Sequence, residues 1–108
     1  MNSDFIQRRV LISGRVQGVG FRNSLMKEAM KESVNEAVKE AMKESGNFVR
    51  GFVRNLEDGR VEAVLLGPPE KILELTAWCK HGPVHAKVTS LEVKEESPDL
   101  SLGQLKIL

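Results

Sequence analysis

A single cysteine, Cys79, occurs in the 108 residues, so no internal disulfide can form. A long apolar run is missing too: nothing approaches the ~20 residues of a membrane span. The N-terminal stretch MNSDFIQRR lacks the apolar centre of a secretory leader. Excess charge of one sign is also lacking. Sixteen Lys and Arg face fifteen Asp and Glu, a net charge of +1, which gives no broad field for nucleic acid or an anionic membrane. Any anion site must therefore be local. These absences set the expectation of a cytoplasmic protein in a reducing setting, with neither nucleic acid nor membrane as partner. What is present is ordinary: 41% hydrophobic and 29% charged residues. The length corresponds to one domain, 1–108, burying roughly two thirds of the surface of its unfolded chain.

Arg8–Val16 is β-rich, with Val10 and Ile12 on one face and Leu11 on the other, and reads as a strand that ends at Gly14. From Asn23 to Ser45 the chain consists of good helix formers with apolar residues about a turn apart, and Gly46 is a C-terminal stop. Asn47–Asn55 and Arg60–Gly67 read as two strands joined by the Asp-Gly turn of Leu56–Gly59. Pro68–Gly82 begins with proline and ends in His-Gly, which predicts a second helix. His85–Glu96 contains a strand, and Leu102–Leu108 is a short terminal one. The order β-α-β-β-α-β-β predicts an α+β, ferredoxin-like βαββαβ sandwich, with an antiparallel sheet carrying both helices on one face and its other face partly solvated.

The stretch SGRVQGVGFRNS places Gly14, Gly18 and Gly20 between the first strand and the first helix, with Arg22 immediately after. The first N–H groups of a helix have no internal partner, and the dipole adds partial positive charge. Glycines let the preceding backbone curl so that successive N–H groups converge. Arg22 adds a bidentate fork. The loop Val16–Arg22 is thus a candidate cradle for a phosphate-sized oxyanion. No Gly-Lys-Ser/Thr follows, so it is not a nucleotide P-loop, and the glycine spacing misses the dinucleotide fingerprint. On loop chemistry alone, a glycine-rich turn with a solvent-facing arginine accounts for the pattern equally well.

GRVQGVGFR (Gly14–Arg22) closely resembles the signature of the acylphosphatases. GFVRNLEDGRVE (Gly51–Glu62) is similar to a second element of that family, and GPPEKILELTAWCKHGP (Gly67–Pro83) to its second helix with flanks. The order of the elements agrees as well. The resemblance implies a cytoplasmic enzyme that hydrolyses acyl phosphates to carboxylate and inorganic phosphate, with no cofactor and no metal. It implies that the amides of Val16, Gln17, Gly18, Val19, Gly20 and Phe21, with Arg22, hold the phosphoryl group, or inorganic phosphate or sulfate as ligand. It further implies that Asn55 positions the attacking water. A carboxylate is a good leaving group, so positioning and charge stabilisation dominate the chemistry. The alternative is a non-catalytic anion-binding or self-assembling module on the same fold.

The spacing departs from the family, because Asn55 comes 33 positions after Arg22. KEAMKES occurs at Lys27–Ser33 and again at Lys39–Ser45, and FVR at Phe48–Arg50 and again at Phe52–Arg54. Glu36–Arg50 therefore reads as an imperfect tandem duplication of the end of the first helix and the start of the second strand. A helix continuing to Ser45 would be ~36 Å long at 1.5 Å per residue. It would overhang six-residue strands of ~20 Å unless the second strand lengthens with it. The overhang would carry Ala37, Val38, Ala41 and Met42 as an apolar stripe with no partner, which predicts a homodimer, domain-swapped or not, through this arm. The competing expectations are a helix that ends near Ser33 with Glu36–Arg50 looped out, and a solvated Glu/Lys helix without a role.

Other residues read as structural. Trp78 and Cys79 belong to the core or its boundary. Gly82 and Pro83 separate His81 from His85 and make them a poor metal pair. Strand alternation turns Arg54 away from the anion site.

Overall fold

A computed structural model describes residues 5–46 and 48–108; Met1–Asp4, and Asn47 at the expected start of the second strand, lie outside the described residues. The elements are β1 (Ile6–Arg15), α1 (Phe21–Met30), α2 (Glu36–Glu44), β2 (Arg50–Asn55), β3 (Val61–Gly67), α3 (Pro69–Cys79), β4 (Lys87–Glu96) and β5 (Lys106–Ile107). The sheet order is β4-β1-β3-β2-β5. β1 lies antiparallel to both β3 and β4, β2 antiparallel to β3, and the two-residue β5 parallel to β2. Without β5 this is the expected ferredoxin-like α+β arrangement, in which α1 and α3 each connect strands that are not neighbours.

Register follows the hydrophobic pattern. Val10 and Ile12 stand opposite Ala63 and Val61, and Val53 opposite Ala63, so one face of β1, β3 and β2 is apolar. Phe21, Leu25 and Ala29 of α1 and Ile72, Leu75 and Cys79 of α3 close over that face in one buried cluster. Each such side chain contributes about 1.5–3 kcal/mol relative to exposure. The other face carries a polar network. Glu62 accepts from Arg9 at 2.7 Å and Arg54 at 2.6 Å, and Arg9 also donates to Glu96 at 2.6 Å. Arg54 thus faces away from the helices, as strand alternation predicts.

The single long helix is not what forms. α1 stops at Met30, Lys31 is extended, and α2 begins after an Asn35 cap, so the repeat makes two helices rather than one. Three interactions cause the break. The buried Lys71 ammonium donates to the carbonyls of Glu28 at 3.3 Å and Lys31 at 3.2 Å, covering the end of α1. The same ammonium pairs with Glu74 at 3.1 Å, and Glu74 in turn accepts from Ser33 Oγ at 2.6 Å. Asn35 Oδ1 accepts from the N–H groups of Ala37 at 2.9 Å and Val38 at 3.3 Å, a cap that contributes about 1 kcal/mol.

The fold-back also decides where the apolar stripe goes. Val38 is 4% exposed, and Met42 packs on the main cluster. Of the stripe expected to overhang the sheet, Val38 and Met42 are partnered within the chain, whereas Ala37 is exposed and Ala41 half-buried; α2 is an ordered helix rather than a loop. α2 ends at Ser45, with Gly46 at φ 87° as the expected stop. Nor does the second strand lengthen: β2 has six residues. Gly51 fixes its register. Its φ is 131°, and a Cβ there would lie 1.8 Å from the carbonyl oxygen of Val64.

Candidate active site

Three chain segments converge at one end of the sheet. The first is the run from β1 into α1. The register shifts between Ser13 and Gly14, and Gly14 at φ 122° approaches β4 so closely that a Cβ would sit 2.1 Å from the Lys87 carbonyl oxygen. After this pinch Val16 is buried and anchors the loop from inside. Gly18 and Gly20 follow at φ 75° and 79°, both in the left-handed region, with nothing within 4 Å of a Cβ at either. Their glycine identity answers to backbone curvature rather than lack of room.

The second segment is the start of α1, where Gly20 is the N-cap residue and no side chain caps the helix. The first α1 amide to find its helical carbonyl is that of Ser24, which donates to Gly20 at 2.9 Å. The N–H groups of Phe21, Arg22 and Asn23 precede that bond and are the ones a helix start leaves free. Phe21 itself turns inward: it is 2% exposed and meets Trp78 edge-on at 5.3 Å, fixing where α1 begins. Val19, half-buried, packs on the same cluster.

Arg22 lies in the first turn of α1 and is half-buried. Unlike Arg8, Arg9, Arg54 and Arg60, it takes part in no ion pair among the described residues. A guanidinium with no ion pair among the described residues, in the first turn of an uncapped helix, has the chemistry to meet an external anion.

The third segment is the β2–β3 turn. Asn55 is the last residue of β2 and stands opposite Val61, with Val53 and Asn55 on the helix-covered face. The turn closes through Leu56 N–H to the Arg60 carbonyl at 2.8 Å, with Gly59 at φ 97°. Gln17 ties this turn to the loop. Its Nε2 donates to the carbonyls of Leu56 at 2.7 Å and Arg60 at 3.0 Å. Sequence reading took Gln17 only as a backbone donor; its side chain is a clasp between the glycine loop and the turn that follows Asn55. No local signal marks it, because the carbonyls it reaches lie 39 and 43 residues away.

The remaining candidates stay outside the site. Cys79 is buried in the core, and burial pushes its thiol up to about 12. His81 and His85 are exposed, and no group of three His, Cys, Asp or Glu side chains gathers among the described residues. No helix among them is long and apolar enough to cross a membrane.

The acylphosphatase family model matches the chain in two overlapping pieces, residues 8–45 and 37–106. This chain belongs to the acylphosphatase family. It is 44% identical over 94 residues to the acylphosphatase of Thermococcus kodakarensis, covering 87% of each chain. It is 41% identical over 95 residues to that of Roseiflexus sp., covering 88% of this chain and 86% of the other. Among solved structures, the crystal structure of the acylphosphatase from Bacillus subtilis superposes with a TM-score of 0.75 at 30% identity, over 95% of this chain and 98% of the other.

Proposed function

We propose that this acylphosphatase hydrolyses acyl phosphates with the Val16–Arg22 loop as its phosphoryl cradle and Asn55 as the residue that positions water. The observation that carries the reading is the start of α1. An uncapped helix N-terminus follows two left-handed glycines and carries an arginine with no ion pair among the described residues. The amides of Val16–Phe21 and the Arg22 fork spread over the equatorial phosphoryl oxygens, where negative charge must be held as the P–O bond to the acyl group breaks. Water attacks phosphorus, the acyl oxygen leaves as a carboxylate, and the water protons pass to phosphate and solvent. The Asn55 amide orients that water; being a poor base, it contributes position rather than proton transfer. In this reading no metal takes part.

The Glu36–Arg50 segment is, in our reading, a tandem copy set beside this machinery. The repeated KEAMKES and FVR strings support it, as does the double matching of residues 37–45 by the family model. A homodimer through Ala37, Val38, Ala41 and Met42 is left with a smaller apolar surface than a free stripe would offer, since Val38 and Met42 pack within their own chain. We take the single chain as the working unit, in the reducing cytoplasm.

The decisive test is hydrolysis of benzoyl phosphate in EDTA by the wild type, Arg22→Ala and Asn55→Ala. Turnover by the wild type should be lost in both variants, with inorganic phosphate still bound by Asn55→Ala and weakened in Arg22→Ala. Turnover that Asn55→Ala retains would remove that residue from the mechanism. A folded wild type that binds phosphate without turnover would favour the non-catalytic module.

A further inference from the structure

The two copies of KEAMKES face each other across a groove of about 350 Å³, at the end of α1 opposite the glycine loop. Ala29 and Met30 come from the first copy and Met42 from the second, and together they make an apolar floor. Lys31 of the first copy and Lys43 and Lys39 of the second stand around it. Met30 and Met42, like Lys31 and Lys43, are the same residues of the repeat presented from two sides. Glu32 is the acidic residue in the lining and meets Lys39 at 3.7 Å, while Lys31 and Lys43 form no ion pair among the described residues, so the lining itself carries more positive than negative charge. A second groove of about 110 Å³ shares Ala29 and Met30 in its lining and adds Met26 and Phe48.

We propose that this groove binds an amphipathic monoanion, specifically a free carboxylate with an unbranched hydrocarbon tail. Charge complementarity selects the head group: three lysines and one glutamate line a concave site, and Lys31 and Lys43 form no ion pair among the described residues. The floor selects the tail. Methionine side chains are flexible and polarisable and mould to a chain of no fixed shape. The volume falls within the range of small-molecule sites. Met30 is 70% exposed in the empty groove, so a tail laid on it removes apolar surface from water. The site depends on the second copy, which supplies Lys39, Met42 and Lys43. It stands independently of the roles given to Arg22 and Asn55.

The test is titration of the full chain with hexanoate, octanoate and decanoate below their micelle concentrations, following the ¹³C-methyl signals of Met30 and Met42. Both signals should shift, and affinity should rise about two- to fourfold per added methylene. Lys31→Glu combined with Lys43→Glu should weaken decanoate about tenfold and leave benzoyl phosphate turnover unchanged. Met30→Gln, at an exposed position, should reduce the chain-length dependence while the fold is kept. Three outcomes would overturn the proposal. The methionine signals stay fixed; or decanoate acts only as a competitive inhibitor, which puts its carboxylate at Arg22; or the chain binds anionic lipid vesicles but not monomeric decanoate.

Discussion

Gln17 Nε2 donates to the Leu56 carbonyl at 2.7 Å, so the loop that starts α1 and the turn that ends β2 are held as one body. Asn55 directly precedes Leu56, so the tie fixes the residue next to it against the loop. Removing the clasp should therefore cost more in catalysis than in stability. Gln17→Ala loses two neutral hydrogen bonds, each with a net contribution of about 1 kcal/mol. Both carbonyls keep a turn partner, Leu56 from Gly59 and Arg60 from Leu56. For benzoyl phosphate we expect kcat/KM to fall at least tenfold, mainly through kcat, because a small misplacement of the attacking water is costly. Phosphate affinity should change less. An unchanged kcat would show that the loop and the turn hold their places without the clasp.

The glycines separate into two classes with different expected penalties. At Gly18 and Gly20 a methyl group has free space, and the cost of alanine is the left-handed backbone alone, about 1–2 kcal/mol. At Gly51 the methyl group would collide with the Val64 carbonyl, on top of a φ of 131°. Gly18→Ala and Gly20→Ala should fold, with melting temperatures lowered by several degrees and phosphate binding weakened as the amides turn aside. Gly51→Ala should fail to fold or melt far lower. Equal melting temperatures across the three would contradict the steric reading of β2.

Much of this was legible in the sequence because its causes are local. Alternation set the faces of β1 and β3, Asp58-Gly59 marked the turn, Pro68-Pro69 opened α3, and clustered glycines before Arg22 marked the loop. The break between the repeats was legible only as an alternative, a helix ending near Ser33, and the second helix beyond it was not foreseen in that alternative. Lys31–Asn35 consists largely of adequate helix formers, and the group that ends α1 is Lys71, 40 residues beyond the Lys31 carbonyl that it covers. The Gln17 clasp was hidden for the same reason. Side chains that reach across the fold leave no periodic trace.

Lys71 offers a direct test of what ends α1. Its ammonium is almost wholly buried and holds the Glu28 and Lys31 carbonyls together with Glu74. Lys71→Met keeps the volume and the methylene packing but leaves Glu74 half-buried without its cation. The Glu74 side chain is 34% exposed and water can take over part of the lost contact, so the change should cost about 1.5–3 kcal/mol and lower the melting temperature by roughly ten degrees. Lys71→Met with Glu74→Leu should recover much of the loss. If the single variant is as stable as the wild type, the ammonium does not hold the end of α1.

Acid should undo the outer sheet face first. Burial raises the pKa of Glu62, but hydrogen bonds from Arg54 and Arg9 outweigh it and leave the carboxyl below its ordinary range. Glu96 is lowered chiefly by its hydrogen bond from Arg9. A carboxylate whose folded pKa is depressed stabilises the fold fully above the unfolded value, near pH 4–5, and loses that contribution as pH falls through the folded value. The melting temperature should be flat from about pH 8 to 5 and fall steeply below about pH 4. Glu62→Gln should melt lower at neutral pH and show a shallower acid slope. An unaltered slope would mean that other carboxylates govern the acid transition.

The second copy should be dispensable for chemistry. Deleting Glu36–Arg50 joins Asn35 to Gly51 and keeps the register-setting glycine, the β2 positions opposite β3 from Gly51 to Asn55, and the Gln17 clasp. It removes Val38 and Val49 from the core, with Met42 that packs against it, and brings Val34 to the place, two before Gly51, that Val49 held. Arg22 and Asn55 lie in segments that the deletion leaves intact, and benzoyl phosphate kcat should stay within about threefold, a barrier change of less than 1 kcal/mol. Decanoate binding should vanish in the same protein, since Lys39, Met42 and Lys43 are gone. A deletion variant that folds but has lost turnover would show that α2 supports the position of α1, and the segment would then belong to the catalytic framework rather than stand beside it.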